Sequence, residues 1–156
     1  MDDAFALRLE DYQCENGGIV IANPNAPTGI RQSEEFLRAV IEANPNVVVI
    51  IDEAYADFSG YTALPLVDEY ENIVVVQTFS KSRSMAGMRI GHAIGNAKLI
   101  KAMNDVRYSF NSYPMTRLSV ALGVAALSDQ DYFEETTAKI VATVSYTHLT
   151  LPTIRL

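Results

Sequence analysis

Three short runs of apolar, largely β-branched residues limit the folds that this chain can adopt. They occupy residues 18–22, 47–51 and 72–77. Each run is short and continuously apolar, which is typical of a strand covered on both faces. A helix capped by Ser33, with two glutamates in its first turn and apolar residues at helical spacing, fits between the first two runs. The spacing therefore predicts an α/β fold with a mostly parallel sheet and helices on both faces.

The remaining sequence predicts one more strand and several helices. An apolar run with a glycine near each end, residues 90–95, is expected to be the fourth strand, and its glycines indicate either close packing or a turn at each end. Residues 108–114 are aromatic and polar, and we expect them to interrupt the helical part as a loop. Helices are expected near residues 66–69, from residue 97 to this loop, and over 117–127 and 132–142.

Composition and charge favour a small-molecule partner. The chain has 156 residues, a formal net charge of -7 and no run of lysine and arginine, which argues against nucleic acid or an anionic membrane surface as partner. No apolar run approaches the roughly 18 residues of a membrane-spanning helix. Cys14 is the only cysteine, so an internal disulfide and a cysteine metal cluster are excluded. These features predict a soluble protein of the reducing cytoplasm.

The last stretch, residues 144–156, differs from what precedes it. It is rich in threonine, alternates like a strand and contains a proline, so we expect it to break the preceding helix. It also resembles the translated sequencing-adapter peptide that occurs at the ends of metagenomic open reading frames. Residues 1–143 are therefore expected to form the partial domain and 144–156 a non-native tail, in which His148 would carry no function.

Polar residues follow each of the three apolar runs. Asn25 lies in a segment with two prolines and a glycine, Asp52 follows the second run directly, and Lys81 comes shortly after the third. The carboxyl ends of parallel strands meet at one edge of a sheet, where ligands bind, so these residues are expected to lie close together. A lysine near the apolar end of a strand is a candidate nucleophile. Taken alone, its position fits an ordinary surface lysine equally well.

Pyridoxal 5′-phosphate is the cofactor that uses this set of side chains. It requires a lysine for a Schiff base, a carboxylate for its ring nitrogen, and an arginine with hydroxyl donors for its phosphate. Lys81, Asp52 and Arg89, together with the hydroxyl residues before the lysine, supply these groups. No set of metal ligands is present in the sequence, and none is needed.

Three ordered motifs resemble the large domain of the fold-type I pyridoxal-phosphate aminotransferases. They are NPNAPTG at residues 23–29, DEAY at 52–55 and TFSKSRSMAGMRIG at 78–91. Within this group, the chain is most similar to the histidinol-phosphate aminotransferase family, and residues 109–114 followed by Arg117 add to that similarity. The resemblance extends from about residue 2 to residue 142.

The resemblance implies a role for three catalytic residues. Lys81 matches the lysine that binds the cofactor covalently and later moves a proton. Asp52 matches the partner of the pyridine nitrogen, and Tyr55 matches the tyrosine that hydrogen-bonds the cofactor's O3′ atom.

It also implies the residues that bind the rest of the cofactor. Arg89 matches the phosphate-binding arginine, and Ser80 and Thr78 are expected to add hydroxyl donors. The family usually has an asparagine directly before PTG, contacting O3′; here that position is Ala26. The role is therefore assigned to Asn25, one residue earlier.

By the same resemblance, the parent protein transfers an amino group from glutamate to imidazole acetol phosphate to give histidinol phosphate, in histidine biosynthesis, as a homodimer. The chain is then an internal fragment, cut at both ends and inactive alone. An aromatic aminotransferase, a phosphothreonine-type decarboxylase and the aminotransferase-like sensor domain of a transcriptional regulator remain open as alternatives. A plain α/β scaffold is disfavoured because it would not explain three polar clusters at three strand ends.

Overall fold

A sheet in the order β1-β2-β3-β4 organises residues 5–150, the part of the chain that the computed structural model describes; side chains are described for residues 5–143. β1, β2 and β3 run parallel, and β4 is antiparallel to β3. The mostly parallel α/β sheet predicted from the sequence is confirmed. The strands are β1 Ile19–Ala22, β2 Val49–Asp52, β3 Ile73–Thr78 and β4 Gly91–Gly95.

The register of the sheet brings three loops to one edge. Ala22 at the end of β1 pairs with Asp52 at the end of β2, and Asp52 pairs with Val76 near the end of β3. The backbone N–H of Asn23 donates to the Asp52 carbonyl at 2.8 Å, and the N–H of Glu53 donates to the Val76 carbonyl at 2.8 Å. The pairing thus continues into the residues that follow the strands, so the loops begin side by side.

Helices and short 3-10 turns surround this sheet. Ser33 caps the first helix, as predicted, because its hydroxyl accepts from the N–H of Phe36 at 3.2 Å. No helix among the described residues is both long and apolar enough to cross a membrane. The helices are α1 Glu34–Ala43, α2 Ala97–Phe110, α3 Arg117–Ser128 and α4 Gln130–Thr150, and the 3-10 turns are Leu9–Tyr12, Ala56–Phe58, Leu64–Asp68 and Ala86–Met88.

The hydrophobic core lies between α1 and one face of the sheet. Alternate residues of the strands point to this face and are fully buried, including Val49 and Ile51 of β2. On the opposite face of the edge strand β1, Val20 is 66% exposed, so the expectation that β1 is covered on both faces is wrong. The core residues are Ile19, Ile21, Leu37, Val40, Ile41, Val49, Ile51, Ala63, Leu66, Ile73 and Val75.

Two predicted boundaries in the helical part are wrong. α2 continues through Phe110, so residues 108–110 are helical and the loop begins at Asn111. α4 continues to Thr150, so the predicted break at residue 144 is absent, while residues 151–156 lie outside the described residues. Threonine and aromatic residues each cost a helix only a few tenths of a kcal/mol, roughly, so they do not end one.

Candidate active site

A groove with a volume of about 770 Å³ opens at the edge of the sheet where the three loops begin. Each of the three sequence motifs contributes side chains to it, and α4 adds two apolar residues. The parallel register explains this convergence, because it places the ends of β1, β2 and β3 next to one another. The lining residues are Pro24, Asn25, Ala26, Pro27, Gly29, Tyr55, Phe58, Ser59, Ser80, Lys81, Ile140 and Val141.

Lys81 and Tyr55 meet within this groove. The Nζ atom of Lys81 lies 5.0 Å from the centroid of the Tyr55 ring, which is a cation–π geometry. The two residues come from neighbouring loops, because Tyr55 follows β2 and Lys81 follows β3. The lysine side chain is exposed, whereas the tyrosine is partly buried. The structure therefore places an accessible amine over an aromatic ring that carries a hydroxyl.

The loop that carries Lys81 is closed at its base by β4. The backbone N–H of Phe79 donates to the Ile90 carbonyl at 3.1 Å. The hydroxyl of Thr78 donates to the same carbonyl at 3.3 Å and accepts from the N–H of Ser80 at 3.1 Å. Thr78 is thus bonded within the loop base, outside the residues that line the groove, and Ser80 lies within the groove.

The residues after Lys81 anchor the loop to the rest of the molecule. The buried hydroxyl of Ser82 donates to the carboxylate of Asp57, in the 3-10 turn after Tyr55. Arg83 donates to the carbonyl of Ala126 in α3 at 2.8 Å, and its guanidinium carbon lies 3.9 Å from the centroid of the Phe133 ring in α4. Both residues therefore shape the loop.

Asn25 lines the groove, and its loop holds its amide in place. Its Nδ2 atom donates to the Thr28 hydroxyl at 2.8 Å, and its backbone carbonyl accepts from the N–H of Gly29 at 2.7 Å. An amide nitrogen carries two hydrogens, so the bond to Thr28 uses only one of them. Ala26 also lines the groove. Asn23, 1% exposed, accepts from the N–H of Gln32 at 2.7 Å, while its Nδ2 has no partner among the described residues.

Asp52 and Arg89 lie outside the set of described residues that line the groove. The Oδ1 atom of Asp52 accepts from the N–H of Ala54 at 3.0 Å, which fixes the carboxylate at the start of the loop after β2. Arg89 has a left-handed backbone, with φ of 55°, and its exposed guanidinium donates to the Ala86 carbonyl at 2.9 Å. The structure thus groups four of the predicted residues in the groove, namely Asn25, Tyr55, Ser80 and Lys81, whereas Asp52, Thr78 and Arg89 do not line it.

The buried carboxylate of Glu53 holds the loop after β2 in place through hydrogen bonds. Glu53 is 3% exposed and accepts hydrogen bonds from the Thr62 hydroxyl at 2.7 Å, the Ala63 N–H at 2.5 Å and the Gln77 amide at 2.8 Å. Three donors satisfy a carboxylate that burial would otherwise penalise. Glu53 is therefore a structural residue.

Gln77 extends this bonding to β4. Its Oε1 lies 3.0 Å from Nε2 of His92, and because its amide hydrogens face Glu53, His92 is the donor in that bond. The His92 ring packs edge-on against Phe79, with centroids 6.0 Å apart. Partial burial lowers the pKa of His92; the Asp57 carboxylate acts in the opposite direction, and the Arg83 guanidinium lowers this pKa further.

Sequence reasoning missed two contributions to this region. Asp57 lies two residues beyond Tyr55 in the same loop, and a carboxylate so close to a predicted site was a signal that could have identified it. Ile140 and Val141 of α4 come from a distant part of the chain, and no local pattern predicts their contact with the groove. No group of three His, Cys, Asp or Glu side chains within the described part of the chain is arranged to hold a metal ion.

Comparison with known proteins identifies the family. The model of the family described as aminotransferase class I and II matches residues 2–153. The chain belongs to this family. Among class I and II aminotransferases, it is 51% identical to the histidinol-phosphate aminotransferase of Acinetobacter baylyi over 141 residues, which are 90% of this chain and 39% of that relative.

Solved structures show the same relationship. The histidinol-phosphate aminotransferase of Sinorhizobium meliloti, a complex with pyridoxal-5′-phosphate, matches with a TM-score of 0.73 and 31% identity over 81% of this chain and 35% of that chain. The histidinol-phosphate aminotransferase of Clostridium acetobutylicum matches with a TM-score of 0.79 over 88% of this chain and 43% of that chain; at 24% identity it supports the fold alone. The chain therefore spans well under half the length of these relatives.

Proposed function

We propose that this chain forms part of the cofactor-binding domain of a pyridoxal 5′-phosphate-dependent aminotransferase. The observation that carries this proposal is the placement of the Lys81 amine 5.0 Å from the Tyr55 ring, inside a groove that Asn25 and Ser80 also line. Membership in the aminotransferase family supports the proposal, because it supplies the cofactor class that such an amine serves.

The residues present fit this cofactor. A phosphorylated pyridine aldehyde needs a primary amine, an aromatic neighbour, and donors for its phenolic oxygen and its phosphate. The groove offers Lys81 as the amine, Tyr55 as aromatic and hydroxyl donor, and Asn25 and Ser80 as further donors. A volume of about 770 Å³ falls within the range of small-molecule and cofactor sites.

Each of these residues has a task in the proposed reaction. When bound, pyridoxal 5′-phosphate supplies an electron sink for the charge that develops at the α-carbon of an amino acid. Lys81 would hold the cofactor through its Nζ atom and, once displaced by substrate, would move the proton at the α-carbon. Asp52 would keep the ring nitrogen protonated. Tyr55 would donate to the phenolic oxygen, a role it would share with Asn25.

The phosphate of the cofactor would lie near the lysine loop. Ser80 would offer a hydroxyl donor, and Arg89 would contribute its charge. Thr78 would donate to the phosphate only after releasing the Ile90 carbonyl. In the structure Arg89 donates to the Ala86 carbonyl, so its part in phosphate binding requires its side chain to turn from that carbonyl.

For the parent protein, we propose amino transfer from glutamate to imidazole acetol phosphate, giving histidinol phosphate in the cytoplasm, by a homodimer. Identity of 51% to the Acinetobacter baylyi histidinol-phosphate aminotransferase and of 50% to that of Lactococcus lactis subsp. cremoris supports this substrate. The net charge of -7 supports small-molecule substrates over nucleic acid or membranes.

The test of the cofactor proposal is covalent capture at Lys81. The 156-residue chain is mixed with pyridoxal 5′-phosphate, reduced with borohydride and analysed by peptide mass spectrometry, with Lys98 as the internal surface-lysine control. We expect the reduced adduct on Lys81 in preference to Lys98, and its loss in Lys81→Ala. An adduct spread equally over Lys81 and the surface lysines would overturn the proposal.

The substrate proposal needs a protein of full family length that carries these residues. Histidinol phosphate and phenylalanine are compared as amino donors by the amount of keto acid acceptor converted. We expect a higher kcat/KM for histidinol phosphate. A preference for phenylalanine would instead assign an aromatic aminotransferase, and release of carbon dioxide would assign a decarboxylase.

A further inference from the structure

Two loops meet beside the Lys81–Tyr55 pair through a side-chain contact that the proposed chemistry does not use. The hydroxyl of Ser82 donates to the Oδ2 atom of the Asp57 carboxylate. Ser82 is the residue after Lys81, and Asp57 lies two residues after Tyr55. The contact therefore joins the lysine loop to the tyrosine loop next to the two side chains that meet in the groove.

Because the Ser82 hydroxyl is buried, its hydrogen bond to Asp57 is favoured over a hydrogen bond to water. Ser82 is 3% exposed, so its hydroxyl cannot exchange Asp57 for bulk water without cost. A carboxylate acceptor also forms a shorter and stronger hydrogen bond than a neutral oxygen does. By contrast, the Lys81 side chain is exposed, so burial does not hold it in place.

We propose that Ser82 and Asp57 form a clasp that holds the Lys81 amine against the Tyr55 ring, and that both are positioning residues of the site. The clasp fixes the backbone on each side of the groove, which leaves the lysine side chain within reach of the ring. This inference rests on the proposed function, because the Lys81 amine is the group that would bind the cofactor.

Other contacts fix other parts of the same loop. Arg83 ties the loop to α3 and α4 through Ala126 and Phe133, and the Phe79–Ile90 hydrogen bond closes its base. Among the contacts of the described residues, the Ser82–Asp57 hydrogen bond is the one that joins the lysine loop to the tyrosine loop through side chains next to the Lys81–Tyr55 pair. Loss of the clasp should therefore change the position of the amine more than it changes the fold.

The test measures the reactivity of Lys81 without cofactor. Lysines of the 156-residue chain are trace-labelled with acetic anhydride, and the Lys81 to Lys98 labelling ratio is read by mass spectrometry. The ratio is compared among wild type, Ser82→Ala, Ser82→Thr and Asp57→Ala, with Ser84→Ala as the matched control in the same loop. Lys98 is 86% exposed, so its labelling is a constant reference that unfolding barely changes. Circular dichroism therefore checks separately that each variant keeps its fold.

We expect the ratio to rise about threefold in Ser82→Ala and Asp57→Ala, since an exposed cation–π contact is worth roughly that factor. Ser82→Thr and Ser84→Ala should keep the wild-type ratio. The double variant should match either single variant, because both remove the same bond. Affinity for pyridoxal 5′-phosphate should fall about tenfold in Ser82→Ala.

Unchanged ratios in the two clasp variants, in chains that keep the wild-type circular dichroism spectrum, would overturn the clasp. Asp57 is exposed, so Asp57→Ala remains a folded test if Ser82→Ala does not fold. If the wild-type chain forms no pyridoxal 5′-phosphate adduct at Lys81, the proposed function is rejected. The labelling ratio would still show whether Ser82 and Asp57 hold Lys81 in position.

Discussion

Tyr61 is a residue whose hydroxyl is buried at a cost to the stability of the fold. Its hydroxyl oxygen is buried and has no hydrogen-bond partner among the described residues, while its ring lies 5.0 Å from the guanidinium carbon of Arg31. Burial, followed by the charges of Glu34 and Glu53, raises the pKa of Tyr61 to about 12. The folded chain therefore holds the phenolic proton more tightly than the unfolded chain, where tyrosine titrates near pH 10, approximately.

We predict that Tyr61→Phe raises the free energy of unfolding at pH 7 by about 1 kcal/mol, because the change removes a buried donor without a partner. The contribution of the phenolic proton is complete below about pH 10 and is lost as the pH rises toward the folded pKa. Wild type should therefore lose more stability than Tyr61→Phe across this window. Urea unfolding at several pH values measures the free energy of unfolding of both proteins. Parallel plots of this free energy against pH for the two proteins would contradict the prediction.

At the scale of single residues, the sequence predicted which side chains approach the groove better than it predicted their bonds. Asn25 and Lys81 could be placed because each follows a strand, and parallel strands share an edge, whereas Tyr55 was assigned from the family resemblance. Asp52 was expected at the same edge, but it does not line the groove. The side-chain direction of Arg89 could not be placed, because it depends on a left-handed backbone and on a carbonyl three residues earlier. Ser82 and Asp57 belong to different motifs, and no local pattern pairs them.

At the scale of elements, the contact between β3 and β4 depends on the absence of a side chain at Gly95. A Cβ atom there would lie 2.9 Å from the carbonyl oxygen of Ile73 and 3.3 Å from Cγ2 of Val74. A carbonyl in a paired strand cannot move aside without breaking the ladder. The close packing predicted from the glycines of residues 90–95 is confirmed at this position.

We predict that Gly95→Ala lowers the free energy of unfolding by about 1–3 kcal/mol, the usual cost of overpacking. Gly17→Ala is the matched control, because nothing lies within 4 Å of the added methyl group there. Urea unfolding followed by circular dichroism compares the two. Equal effects of the two substitutions would show that intrinsic backbone preference, rather than the contact with Ile73, determines the cost.

Elements with a strong local signal were predicted best. The three parallel strands and α1 were found within one or two residues, because apolar runs and a capping serine define them. The ends of α2 and α4 were wrong, since hydroxyl and aromatic residues are neutral signals that a helix tolerates. The antiparallel direction of β4 could not be predicted from its own residues. It depends on the path of the lysine loop, which connects β3 to β4.

At the scale of the whole molecule, the helical part leaves a broad apolar surface. Phe110 is 79% exposed and Tyr113 93% exposed, and on α3 Leu118 is 61% exposed and Val124 59% exposed. Large exposed apolar side chains of this kind occur on surfaces that bind other proteins. This exposed apolar surface leads us to predict that the chain aggregates.

We predict that the 156-residue chain associates with itself as its concentration rises, and that a Leu118→Glu, Val124→Glu variant associates less. Both side chains are largely exposed, so the substitutions should leave the unfolding midpoint nearly unchanged. Sedimentation velocity over a range of concentrations measures the association. Identical sedimentation of variant and wild type would exclude α3 as the associating surface.

The order of the strands has a consequence for how such a site can vary. β2 and β3 are neighbours, so the tyrosine and lysine loops follow adjacent strands. Asn25 follows β1, which within the described residues pairs only with β2. A change in β1 or its loop can therefore shift Asn25 while the Lys81–Tyr55 pair keeps its geometry. We therefore expect substitutions at Ala26, which lies in the loop after β1, to leave the position of the Lys81–Tyr55 pair unchanged.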